Sequence, residues 1–287
     1  MSFSPRISAS SYSNTAPLVW SFLYGQNHGK YELIMDNAPA RSAELLAQNR
    51  IDAALVPVIT YQLIENIRLI PNVCVGAKEK VRSVCLVTKG EDLEQVKTVA
   101  LDVSSKTSVA LTKIIFREFL GFEPKFENAK PNAEEMLKTA DCALLIGDPA
   151  LMISDVGFGI ADLKEEKTQN QKLKTKDQLR KFDLVELWKS FTGFGFVFAM
   201  WMANVEKVET AKKIDFAAAR DEGIAHVDEI ISNYESQITL PREDFRKYLT
   251  ENISYSISDS MQKGLELYFE LAYKNNLIET NKKLQFI

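Results

Sequence analysis

Residues Ser11–Leu18, Ser-Tyr-Ser-Asn-Thr-Ala-Pro-Leu, follow the short stretch Arg6–Ala9 and lead into the apolar run Pro17–Tyr24. Small hydroxyls and one amide after a strand, then a proline at a helix entrance, spell a strand–loop–helix edge. Such an edge offers free backbone N–H groups and the positive end of a helix dipole to an anion. Three more segments share this character: Val81–Lys89 (VRSVCLVTK), Leu101–Val109 (LDVSSKTSV) and Ala143–Ala150 (ALLIGDPA). One such edge is commonplace in an α/β protein. Four of them point to a cleft.

Working outward, apolar runs at Arg6–Ala9, Tyr31–Asp36, Ala53–Val58, Asn72–Ala77 and Val81–Val87 read as strands. Helical patterns at Pro17–Tyr24 and Pro39–Asn49 separate the first three. A second unit repeats the alternation, with strands at Thr98–Asp102, Pro124–Phe126 and Cys142–Ile146 and helices at Val109–Phe119 and Ala133–Thr139. Strands alternating with helices predict a parallel sheet. Lys164–Lys181 is polar throughout and reads as an exposed loop or hairpin tip, and the aromatic run Phe194–Ala203 as a buried strand. From Val205 the chain reads as helical, with one long helix over Ala211–Tyr234, then Pro241–Thr250 and Ser258–Asn275.

A helical tail without its own sheet must pack on an earlier unit. The expected fold is therefore α/β and two-lobed, with the type II periplasmic-binding-protein-like architecture. Residues 1–88 and 198–287 form a discontinuous first lobe carrying the tail, and 89–197 an inserted second lobe. Two crossover strands, near Val84–Lys89 and Gly195–Met200, join them, and the ligand cleft lies between the lobes.

With 287 residues, 46% of them hydrophobic, the chain can bury a large core. A net charge of −4 carries no basic excess, so a nucleic-acid partner is not expected. No apolar stretch approaches the length of a membrane span, and Met-Ser-Phe-Ser-Pro-Arg lacks the apolar core of a secretory signal. The expected location is the cytoplasm, without membrane association. Cys74, Cys85 and Cys142 stand singly in apolar surroundings and read as buried reduced thiols. His28 and His226 have no companion at metal-ligand spacing, and no phosphate loop, dinucleotide fingerprint or nucleophile elbow occurs. Neither a metal nor another cofactor is expected.

Each candidate residue has a plain reading beside its functional one. Asn14 is a turn or cap residue, or an amide facing a ligand. Ser83, inside an expected buried strand, is a structural hydroxyl or a ligand contact. Ser104-Ser105-Lys106-Thr107-Ser108 has more hydroxyls than one helix cap requires and suits a carboxylate or phosphate. Gly147 and Asp148 end a strand at the same edge, and Asp148 either caps the next helix or touches a ligand hydroxyl.

Six stretches in order, SYSNTAPL, IDAALVPVITY, VRSVCLVTK, LDVSSKTSVALTKII, LLIGDPAL and DLVELWKSFTGFGFVFAMW, resemble those of the chorismate dehydratase family. That family provides the first enzyme of the futalosine route to menaquinone. The resemblance runs from about Arg6 to Met202, with a weaker echo in KGLELYFELAYKNNLI. It implies the same two-lobed fold and the removal of water from chorismate to give 3-(1-carboxyvinyloxy)benzoate, a lyase reaction without a cofactor. Carried over by position, Asn14 and Ser83 contact the reacting substrate, while Ser105, Thr107 and Ser108 hold a carboxylate. Gly147 and Asp148 complete the second-lobe wall.

Two positions depart from the family pattern. Thr192-Gly193-Phe194-Gly195-Phe196 has glycine in place of a usual proline, which is expected to loosen a crossover strand. Pro39-Ala40-Arg41 lacks a usual serine, and Arg41 is the expected substitute contact to substrate. The related enzyme that makes 1,4-dihydroxy-6-naphthoate has a first loop resembling Ser-Pro-Cys-Pro-Asn-Asp-Thr-Phe, which Ser11–Leu18 does not match. That enzyme, a non-catalytic small-anion-binding protein and the sensing domain of a transcription regulator are the alternatives. The third lacks a helix-turn-helix segment or basic patch ahead of it.

Overall fold

A computed structural model describes residues 4–36, 39–153 and 179–287. Among these residues, ten strands, β1 (Arg6–Ser10), β2 (Glu32–Asp36), β3 (Ala53–Pro57), β4 (Ile67–Ala77), β5 (Val84–Thr88), β6 (Thr98–Asp102), β7 (Lys125–Ala129), β8 (Cys142–Ile146), β9 (Arg180–Asp183) and β10 (Phe196–Asn204), form two five-stranded sheets. The first runs β2-β1-β3-β10-β4 and the second β7-β6-β8-β5-β9. The two orders are the same pattern. In each, three parallel strands are followed by an antiparallel one that has just crossed from the other sheet. β10 returns to the first sheet between β3 and β4, and β5 enters the second between β8 and β9.

This pairing moves one expected boundary. Val84–Thr88, assigned to the first lobe by the sequence, pairs with β8 and β9 of the second sheet, so the first crossover is the segment 78–83. All five residues of β5 are buried, and an all-apolar central strand looks the same in either sheet. Ser83 consequently lies just before β5 rather than inside a strand. The second crossover follows helix Leu184–Thr192 and enters β10.

The tail packs on the first sheet's unit. Helix Phe216–Ala225 lies against helix Ala16–Leu23, and Gly76 and Leu69 of β4 bridge to Ser254 and Phe286. Helix Asp259–Lys274, capped by Ser258, also reaches helix Lys106–Ile114 of the second unit, where Tyr268 Oη donates to Thr107 O at 3.1 Å. The expected long helix over Ala211–Tyr234 is three pieces, Val208–Ala211, Phe216–Ala225 and Val227–Tyr234.

Glycine at position 195 sits where the crossover is closely packed. A Cβ there would come within 2.8 Å of Met261 Cγ and 2.9 Å of Ala77 O, and Gly264 packs directly against Gly195 O. The absent side chains let the last helix dock onto the strand entrance. The polar stretch Lys164–Lys181 lies outside the described residues as far as 178, and Arg180 and Lys181 open β9. Among the described residues, no helix is long and apolar enough to cross a membrane.

Candidate functional site

The C-terminal ends of parallel strands from both sheets meet at the cleft, the usual place for a ligand in such sheets. Three helix starts converge there. β1 leads through the tight turn Ser13–Thr15 into helix Ala16–Leu23, β6 leads into helix Lys106–Ile114, and β8 runs directly into the short helix Gly147–Leu151. A cavity between them is lined on the first lobe by Ser10, Tyr12, Asn14 and Thr15, with Leu55–Pro57 and Phe198 behind. Ser105, Ser108, Ile146 and Gly147 face these from the second lobe. No lining residue carries a charged side chain among the described residues.

Each wall has a local cause. Thr15 Oγ1 donates to Ser10 O at 2.6 Å and to Tyr12 O at 2.8 Å, folding the first loop onto the end of β1. Ser105 caps its helix, its Oγ accepting the Ser108 N–H at 3.3 Å and lying 3.1 Å from Ser108 Oγ. The helix begins at Lys106, so Thr107 and Ser108 belong to its first turn rather than to a loop. Gly147 has φ +65°, and a Cβ there would lie 3.0 Å from the Tyr12 ring. Both facts require glycine where the lobes touch.

Among the sequence candidates, Asn14, Ser105, Ser108 and Gly147 come together around the cavity. Ser83 is buried beside it between the lining residues Val81 and Val84, and its carbonyl accepts the Gly147 N–H at 2.7 Å. Thr107 does not line the cavity. Its Oγ1 accepts the Ile59 N–H at 3.2 Å and joins the two units. Asp148 is likewise engaged across the cleft: its carboxylate accepts from Ser13 Oγ at 2.5 Å and from Ser13 N–H at 3.3 Å. Burial pushes the Asp148 carboxyl above its usual range, with the Ser13 hydrogen bonds opposing the shift. Arg41 stands apart, its side chain 70% exposed and 3.6 Å from Asp36, outside the cavity lining.

Sequence reasoning missed the contribution of tyrosines. Tyr12 lines the cavity, and its phenol is pushed up by burial while the Ser104 hydroxyl pulls it down. From the tail, Tyr234 Oη donates to Ser11 O at 3.0 Å, and burial pushes this phenol up to about 12. Tyr248 is fully buried beside Ser83 and Asn14, and its hydroxyl makes no hydrogen bond of good geometry. Burial raises its pKa strongly, with Ser83 and Asn14 opposing, so it stays a neutral phenol. Nothing local marks residues 234 or 248 as cleft residues, because only the tail's docking brings them to the first loop.

Compared with known proteins, residues 5–274 match the family model described as menaquinone biosynthesis. The chain belongs to the menaquinone-biosynthesis family. A curated relative, the chorismate dehydratase of Thermus thermophilus, is 29% identical over 262 residues, covering 90% of this chain and 92% of that protein. Among solved structures, a protein from Archaeoglobus fulgidus superposes with a TM-score of 0.69 at 16% identity, covering 96% of this chain and 98% of that one. The aliphatic sulphonate binding protein of Escherichia coli superposes with a TM-score of 0.62 at 15% identity, covering 96% and 94%. These structural likenesses establish the two-lobed periplasmic-binding-protein-like fold for this menaquinone-biosynthesis protein.

Proposed function

We propose that this protein is a chorismate dehydratase, a hydro-lyase that converts chorismate to 3-(1-carboxyvinyloxy)benzoate and water. The observation that carries this reading is the cavity wall. It offers an amide, hydroxyls and helix-start N–H groups, and no charged side chain among the described residues. Such a wall suits a small dianion held by neutral donors. The matching family and the curated dehydratase support the same chemistry.

Dehydration removes a ring proton and the ring hydroxyl, and aromatisation drives it. Ser105 and Ser108, at a helix start, hold one carboxylate, and Gly147 closes the wall without a side chain. Asn14 and Ser83 orient the ring and stabilise the departing hydroxide. The substrate's own enolpyruvyl carboxylate takes the ring proton, since among the described residues the cavity wall supplies no histidine or free carboxylate of its own. Orientation and exclusion of water can be worth about 7–11 kcal/mol of barrier in well-aligned cases. The proposal includes a cytoplasmic location and no resident cofactor.

Incubating the purified protein with chorismate and following the products by liquid chromatography and mass spectrometry tests it. A product lighter by one water is expected. Unchanged chorismate in the presence of folded protein, with tight binding of another small anion, would point to a binding protein instead.

A further inference from the structure

Asp183 lies between the first crossover and the start of helix Leu184–Thr192. It ends β9, is buried, and divides its carboxylate between two tasks. Oδ1 accepts the N–H groups of Val185 at 2.9 Å and Glu186 at 3.2 Å, capping helix Leu184–Thr192. Oδ2 accepts those of Val81 at 3.0 Å and Arg82 at 2.5 Å, in the first crossover, and the Val81 N–H is shared more weakly with Oδ1 at 3.3 Å. Arg82 has φ +63°, a left-handed conformation that a residue with a side chain adopts only when its surroundings impose it. The next residue is Ser83, whose carbonyl takes the Gly147 N–H at the cleft wall. A cap alone needs the two amides of its own helix, and the amides 101 and 102 residues earlier in the chain are additional.

We propose that Asp183 is a positioning residue for the cleft, with one carboxylate oxygen fixing the helix start and the other holding the turn that delivers Ser83. The inference rests on the dehydratase reading in so far as Ser83 acts in that reaction. It extends that reading to a residue outside the cavity. Asp183 touches no substrate and works through the backbone of Val81 and Arg82.

Asp183→Ser separates the two tasks. Serine is a good helix cap for Val185 and Glu186, but its hydroxyl is too short to hold Val81 and Arg82 as well. In the ligand-free variant, hydrogen exchange at the Gly147 amide is expected to quicken about 10-fold, while the amides of Val185 and Glu186 keep their protection. With chorismate, kcat is expected to fall about 10-fold or more with KM changed less than about 3-fold. Unchanged exchange at Gly147 overturns the clamp, and an unchanged kcat overturns its role in the reaction. If Asp183→Ser folds poorly, Asp183→Asn, which keeps one acceptor oxygen for the cap, is read in the same way. Absence of turnover by the wild-type protein removes the dehydratase reading alone, and exchange at Gly147 still decides the clamp.

Discussion

Ser13 of the first lobe is joined to Asp148 of the second through both its hydroxyl, which donates to the carboxylate at 2.5 Å, and its N–H, shared between the two carboxylate oxygens at 3.3 and 3.4 Å. The contact sits between the residues flanking it on each side, Tyr12 and Asn14 on one lobe and Gly147 on the other, all of which line the cavity. The contact that joins the lobes and the wall of the cavity are therefore built from adjacent residues.

Burial raises the Asp148 carboxyl in the folded protein, with the Ser13 hydrogen bonds opposing, so folding favours the protonated acid over the ionised form. A group with a raised folded pKa contributes stability that is complete below its unfolded pKa and is lost as pH rises through the folded one. Asp148→Asn is therefore expected to be more stable relative to wild type at pH 7 than at pH 4, read as a difference in Tm across that range. A Tm difference independent of pH contradicts the sign. If Asp148→Asn also abolishes turnover while chorismate still binds, Asp148 and not the substrate carboxylate is the base.

Asn14→Ala and Ser83→Ala are each expected to lower kcat by about 100-fold or more, the usual cost of losing a positioned donor in a closed site. Folding is expected to persist, so circular dichroism spectra match those of wild type. Wild-type kcat in either variant removes that residue from the mechanism.

Gly147→Ala combines a left-handed backbone with a side chain pressed on the Tyr12 ring. It is expected to cost about 1–3 kcal/mol of stability and most of the activity, because the Tyr12 ring must retreat from the cleft. Urea denaturation measures the first and chorismate turnover the second. A stability loss without an activity loss would show that Tyr12 is not held in place by Gly147.

Tyr248→Phe removes a buried hydroxyl without a well-formed hydrogen bond, a change that is usually near neutral or stabilising. Its expected effect on Tm is small, yet kcat is expected to fall about 10-fold because that hydroxyl lies against Asn14 and Ser83. Tyr255→Phe, the same loss from a neighbouring buried phenol, is the control and is expected to leave kcat unchanged. Equal kinetics for the two variants contradict the role given to Tyr248.

The parts of the site legible in the sequence are those written at strand ends. Asn14, Ser105, Ser108 and Gly147 lie in the loops and helix starts that come after β1, β6 and β8, so the edge they share can be read without knowing the fold. Tyr234, Tyr248 and Asp183 contact residues at or beside the cavity wall from parts of the chain distant from these loops, and only tertiary docking brings them there. β4 was legible only in its second half. Its first half is interrupted by Pro71 and by Asn72 at φ +64°, and the pairing with β10 slips there, which hides the alternation. β5 was legible as a strand but not as a member of the second sheet, because uniform burial carries no record of its neighbours. Arg41 shows the converse error. A charge at a helix start reads as a ligand contact, but its exposed side chain turns to Asp36 instead.

The most direct measurement is turnover of chorismate by protein dialysed against EDTA, with Asn14→Ala and Ser83→Ala assayed beside it. Steady formation of 3-(1-carboxyvinyloxy)benzoate by the wild-type protein, unaffected by dialysis and lost in both variants, is the predicted result. Chorismate recovered intact from folded wild-type protein, or product formed equally well by both variants, would contradict the account.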